Sequence, residues 1–202
     1  MKIASFQVTK LLFSDLLTYR LDPVTVYLED LGPAALAAGE NQGKVLIECF
    51  GKSWSARWGS LGKTTVSQYI QGSDADYLAG CLAPSLSSTR FSGRALCRMA
   101  RIKITGRRRL SPLTTGYLSR ETARTLYDAA SDLGFVDSMD QAIAHCGELL
   151  TQLFGDEFWH EAANAQEPNP EYAYLCRVLL AVRDGLAIHD GSATAERNAE
   201  LS

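Results

Sequence analysis

The chain of 202 residues is 46 % hydrophobic and 21 % charged, which excludes global disorder and suits one large domain or two small ones. A net charge of -3 with a pI near 5.6 excludes a nucleic-acid binder working by bulk charge, though not a local basic strip. Five cysteines (Cys49, Cys81, Cys97, Cys146, Cys176), odd in number and without a C-x-x-C pair, exclude a disulfide framework or zinc ribbon and suit free, buried thiols.

The opening, Met1 to Val8, turns polar too early for a signal peptide, and no apolar run reaches the roughly 18 residues of a membrane span. The expectation is a cytoplasmic protein with no membrane partner. Val24 to Leu28, between Asp22-Pro23 and Gly32-Pro33, predicts a strand. Lys44 to Phe50 predicts a second, joined through a tight Gly51-Lys52 turn to a third over Ser53 to Trp58. There Trp54, Ala56 and Trp58 share one face and Ser53, Ser55 and Arg57 the other. Pro33 to Gly43 predicts a loop or short helical turn.

From Thr65 to Leu82 the period becomes helical, with a break at Gly72-Ser73 and Asp74 as the next N-cap. Pro84 to Thr89 predicts a linker. Arg94, Arg98 and Arg101 then stand at i, i+4 and i+7 on one side of a helix whose apolar side holds Ala95, Leu96, Met99, Ala100 and Ile102. Gly106 is expected to stop it. Thr122 to Leu133 predicts an amphipathic helix. Ser138 to Gln141 is a capping box opening a helix that buries Ile143, Cys146, Leu149, Leu150 and Leu153 and ends at Gly155. Asn169-Pro170-Glu171 starts a last helix, followed after His189 by a polar tail. The fold class expected is α+β: an N-terminal antiparallel sheet with helices over residues 1–104, a helical module over 110–190, and a tail over 191–202.

Between Tyr77 and Arg120 the chain has no Asp or Glu. It has nine cations there: Arg90, Arg94, Arg98, Arg101, Lys103, Arg107, Arg108, Arg109 and Arg120. Residues 121–202 carry four cations against fifteen carboxylates, a balance of -11. Ordinary soluble surfaces mix the signs. Arg94, Arg98, Arg101, Lys103, Arg107, Arg108 and Arg109 are therefore the candidate contact residues. Three uses stay open: phosphate of nucleic acid, an acidic protein face, or the chain's own acidic segment. Phe91 and Tyr117 are the only aromatics in the stretch, which disfavours sequence-specific reading of single strands.

Other motifs carry little chemistry. Gly59-Ser60-Leu61-Gly62-Lys63-Thr64-Thr65 sits between a strand and a helix like a phosphate loop, but that pattern needs glycine where Arg57 stands. His145, His160 and His189 have no metal-ligand spacing, and no second His completes His160-Glu161. Asp156, Glu157 and Glu161 surround Phe158 and Trp159, an acidic turn beside aromatic anchors. Asp156, Glu157 and Trp159 are a second candidate interface. No catalytic residue, cofactor or metal is expected.

Leu21 to Pro33, Ile47 to Gly59 and Asp74 to Ala79, with Phe154 to Trp159 and Asn169 to Arg177, resemble a family of short bacteriophage and prophage accessory proteins. The resemblance implies a phage accessory product that binds a host protein or ribonucleoprotein complex. A non-enzymatic inhibitor of host defence, such as an anti-CRISPR protein, is the first expectation. A direct nucleic-acid-binding regulator is the second, and a nucleotide-binding enzyme using Gly62-Lys63-Thr64 the third.

Overall fold

The computed structural model describes residues 7–33 and 39–200, the last eight of them by backbone alone. The reading of the opening segment, and part of the loop expected after Pro33, fall on residues outside that range. In chain order the elements are β1 (Thr9–Phe13), β2 (Val24–Pro33), β3 (Asn41–Cys49), β4 (Lys52–Trp58), α1 (Val66–Gly72), α2 (Ala75–Leu82), β5 (Thr89–Phe91), α3 (Gly93–Arg108), α4 (Arg120–Ala129), α5 (Met139–Phe154), α6 (Phe158–Ala162), β6 (Gln166–Pro168) and α7 (Pro170–Glu200). The class is α+β.

These elements fall into two compact units, residues 1–87 with 170–202, and residues 88–169. The second unit is an insertion in the chain of the first. The division therefore falls before α3, not between residues 104 and 110, and α7 joins the N-terminal sheet.

In the first unit β1 to β4 form an antiparallel meander in sequence order. Period-two alternation puts Val24, Val26 and Leu28 opposite Cys49, Ile47 and Val45, all buried. Their shared face is covered by Val66 and Ile70 of α1, Leu78 and Leu82 of α2, and Leu175, Leu179, Val182 and Leu186 of α7. The expected hairpin is present with its turn one residue earlier, at Phe50-Gly51, since Cys49 pairs with Lys52. Both turn residues have positive φ, 47° and 72°, as a two-residue primed turn requires. Trp54, Ala56 and Trp58 face inward, and Ser53, Ser55 and Arg57 face solvent.

Helices α2, α5 and α7 start at the expected Asp74, Ser138 and Pro170 signals. Thr65 caps α1 in a reciprocal box with Gln68, and the Asp74 carboxylate accepts from the Tyr77 amide to open α2. Ser138 caps α5, but Gln141 reaches back to the Asp137 amide instead of closing the box on Ser138. The residues after His189 continue α7 to Glu200 and do not form a separate tail. No helix among the described residues is long and apolar enough to cross a membrane.

The second unit packs Leu96, Ala100 and Ile104 of α3 against Ala123 and Leu126 of α4, Leu133, and Leu150 and Leu153 of α5. Three expectations change here. Gly106 does not stop α3, which runs to Arg108; an isolated glycine costs a helix only about 1 kcal/mol. The span expected as one helix to Leu133 is α4 followed by a 3-10 turn over Asp132–Phe135. Ile143 is 44 % exposed, because the buried stripe of α5 runs through Ala142, Cys146, Leu150 and Leu153 at i, i+4, i+8 and i+11 and leaves Ile143 at its margin.

Candidate nucleic-acid interface

The unit holding the basic stretch is electrically balanced: residues 88–169 contain ten Lys or Arg and ten Asp or Glu. Part of the charge is neutralised within the unit. Arg90 pairs with Glu167 across the β5–β6 ribbon at 2.9 Å. Ser92 donates to the same carboxylate at 2.8 Å while its Oγ caps α3. The Ser92 hydroxyl first, then Arg90, hold the Glu167 carboxyl below the ordinary glutamate range, and Arg94 adds to the effect. Lys103 pairs with Glu161 at 2.9 Å and lies over the Phe154 ring.

Other members of the stretch are fasteners. Arg107 donates from Nε to the Gly116 carbonyl at 2.8 Å and from Nη1 to the Gln152 carbonyl at 2.9 Å, tying the loop after α3 to the end of α5. Arg101 donates to Ser131 Oγ at 2.9 Å and covers the Tyr127 ring at 4.5 Å. Its Nε is buried and has no hydrogen-bond partner among the described residues. Arg108 reaches the Tyr117 hydroxyl at 3.5 Å and lies over that ring.

Five arginines remain that make no hydrogen bond or ion pair among the described residues: Arg94, Arg98 and Arg109 around α3, and Arg120 and Arg124 of α4. All five are exposed. At 100° per residue Arg94 and Arg98 of α3 and Arg109 at its C-cap lie within about 60° of one another, with Thr105 between them and Ile102 (70 % exposed) just beyond. On α4 Arg120, Arg124 and Tyr127 follow at i, i+4 and i+7 along one side. The two helices run antiparallel. The Leu118 amide donates to the Arg107 carbonyl at one end, and Arg101 meets Tyr127 and Ser131 further along. The Arg101–Tyr127 contact turns the arginine side of α4 toward the arginine side of α3. The two rows thus form one cationic face.

The seven candidate residues are therefore divided. Arg94, Arg98 and Arg109 are displayed; Arg101 and Arg108 are at the face but occupied by tyrosines; Lys103 and Arg107 are turned to α6 and α5. Arg120 and Arg124 belong to the displayed face and were not among the candidates. Helical spacing from Tyr127 would have grouped them together, but nothing in the sequence shows that this row lies beside α3.

The second candidate group also separates. Asp156, Glu157 and Trp159 are exposed, Trp159 at 47 %, while Phe158 is buried in the core with its ring 5.6 Å from the indole. Among the described residues no group of His, Cys, Asp or Glu could hold a metal ion. The Gly62-Lys63-Thr64 turn leads into α1, only seven residues long. There the Asp30 carboxylate already accepts from the Val66 amide at 2.8 Å, and Thr65 accepts from Gln68. The Thr64, Thr65, Val66 and Gln68 amides at the start of α1 are thus already bonded.

No curated protein and no solved structure matches the chain. A family model described as a phage family matches residues 1–187, and the chain accordingly belongs to that family of phage proteins.

Proposed function

We propose that this phage protein is an accessory protein acting by binding rather than catalysis, and that its ligand is the phosphate backbone of a nucleic acid. The observation that carries the reading is the set of five displayed arginines on α3 and α4, without ion-pair partners among the described residues, in a unit whose other cations have local partners. Guanidinium groups on rigid helices suit phosphate, which they grip bidentately. A second reading, inhibition of a host defence ribonucleoprotein such as a CRISPR complex, draws on the phage family and on the exposed Trp159 beside Asp156 and Glu157 as a separate protein-binding patch.

The test is a binding titration with labelled nucleic acid at 50 and 200 mM salt. With about four phosphates neutralised, affinity falls roughly 150-fold over that range. The variant Arg94→Glu/Arg98→Glu/Arg109→Glu/Arg124→Glu loses binding while its circular dichroism stays unchanged. Retained binding by that variant excludes the arginine face as the contact surface. Loss of binding after Trp159→Ala, with the arginines intact, favours the patch around α6 instead.

A further inference from the structure

We infer that the ligand of the arginine face is a nucleic-acid duplex, gripped by its two strands without reading of bases. This inference rests on the proposed phosphate contact and goes beyond it in naming the form of the ligand.

The first argument is the arrangement in two rows. Arg94, Arg98 and Arg109 follow α3 over about 22 Å, at 1.5 Å per residue. Arg120 and Arg124 follow α4 in the antiparallel direction beside it. Packed helices lie about 8–10 Å apart. That separation falls between the widths of the minor and major grooves of a B-form duplex, about 6 and 12 Å. Over about 22 Å a duplex presents two lines of phosphate, with one charge per about 1.7 Å of axis. A single strand presents one line and would leave one row unused.

The second argument is the state of the aromatic rings. Non-specific single-strand sites stack successive bases on open rings. Tyr127 has the Arg101 guanidinium over its ring at 4.5 Å, and Tyr117 has that of Arg108 at 5.7 Å. Those guanidiniums stand where bases would stack. Phe135, 83 % exposed, lines a pocket with Arg94 at the α3 N-terminal end of the unit, where the other ring, Phe91, is half-buried against the core.

A third feature accounts for the lack of base readout. The displayed side chains project from the flanks of two adjacent helices. Between the two rows stands Arg101, whose guanidinium is held by Ser131 and lies over the Tyr127 ring, so it is not free to read a base edge.

The experiment is fluorescence anisotropy on the full chain with a 24-base-pair mixed-sequence DNA duplex, an RNA duplex of the same sequence, and each single strand, from 50 to 200 mM KCl. The expected result is at least tenfold tighter binding of a duplex than of its strands, little changed when the sequence is scrambled. The slope of log K against log salt is about -4 for the DNA duplex. Arg98→Glu and Arg124→Glu, one from each row, each reduce that slope by about one. Equal or tighter binding of single strands overturns the duplex inference and leaves the phosphate contact standing. An unchanged slope in Arg124→Glu overturns the two-row grip. Absence of binding to every probe removes both proposals.

Discussion

Two glycines in α3 should respond to the same substitution with opposite signs. A Cβ on Gly106 meets nothing within 4 Å, whereas one on Gly93 lies 2.4 Å from both the Leu133 and Val136 carbonyl oxygens. Those oxygens belong to backbone and cannot rotate away. A comfortable carbon–oxygen contact needs about 3.3 Å, so Gly93→Ala must push the segment from Leu133 to Val136 back by about 1 Å. Such a gap forfeits a quarter to a half of the dispersion contacts at that surface. Leu133 and Val136 are buried, at 0 % and 7 % exposure, and are worth about 1.5–3 kcal/mol each when fully packed. The loss is then about 0.75–3 kcal/mol, and the offsetting helix-propensity gain is only a few tenths of a kcal/mol because Gly93 is the first residue of the helix. A net cost of about 0.5–2.5 kcal/mol corresponds to a fall in Tm of about 2–20 °C in a cooperative unit of this size. Gly106→Ala, with only the propensity term, should raise stability by about 0.5–1 kcal/mol. Thermal and urea melts of both variants measure the pair. A Gly93→Ala protein as stable as the parent would refute the close packing of α3 on Leu133 and Val136.

Arg107→Ala should cost about 1–3 kcal/mol, since it leaves the Gly116 and Gln152 carbonyls without their charged donor, while Arg98→Ala should stay within about 0.5 kcal/mol; urea midpoints of the two variants decide, and equal midpoints would place Arg107 among the displayed arginines instead. Glu167 has a folded pKa below its unfolded value, so its contribution is present above the ordinary carboxylate range and is lost as pH falls below about 4.5 through the folded pKa. Glu167→Gln should therefore lower stability at neutral pH and flatten the acid limb of a melting-temperature profile between about pH 5 and 2; an acid limb identical to the parent's would show that the Arg90–Glu167–Ser92 contact does not survive in solution. The Cys146 thiol, pushed up chiefly by burial with Asp132 adding to it, should react slowly with a thiol reagent at pH 7 and rapidly only once the protein is unfolded; fast labelling of native Cys146 would contradict its burial.

Much of the fold was legible because its signals are local. Alternation of Val24, Val26 and Leu28, a tight turn at Gly51, the helical period from Thr65, and the helix starts at Asp74, Ser138 and Asn169-Pro170 each act within a few residues. They marked β2, β3, β4, α1, α2, α5 and α7 before any packing was known. Isolated β1, β5 and β6 were not legible, since five- and three-residue strands carry too little period to read. Nor was the end of α3, where capping of the neighbouring segments and the core contacts of Ile104 outweigh the cost of Gly106.

The candidate site divides the same way. The acid-free stretch is a property of the sequence and points to its own importance. Which of its cations are spent inside the unit depends on partners distant in sequence: Glu161 for Lys103, Gln152 for Arg107, Ser131 and Tyr127 for Arg101. Those pairings require α3, α4, α5 and α6 to close on one core, so no local pattern contains them. By itself the sequence determined the class, most helix starts and the presence of a basic segment, because backbone propensity, capping and charge are read residue by residue. Only the tertiary structure decided that residues 88–169 form an inserted, charge-balanced unit, and that Arg120 and Arg124 stand beside Arg94, Arg98 and Arg109. The burial of apolar faces chooses which segments meet, and that choice sorts fastening arginines from displayed ones.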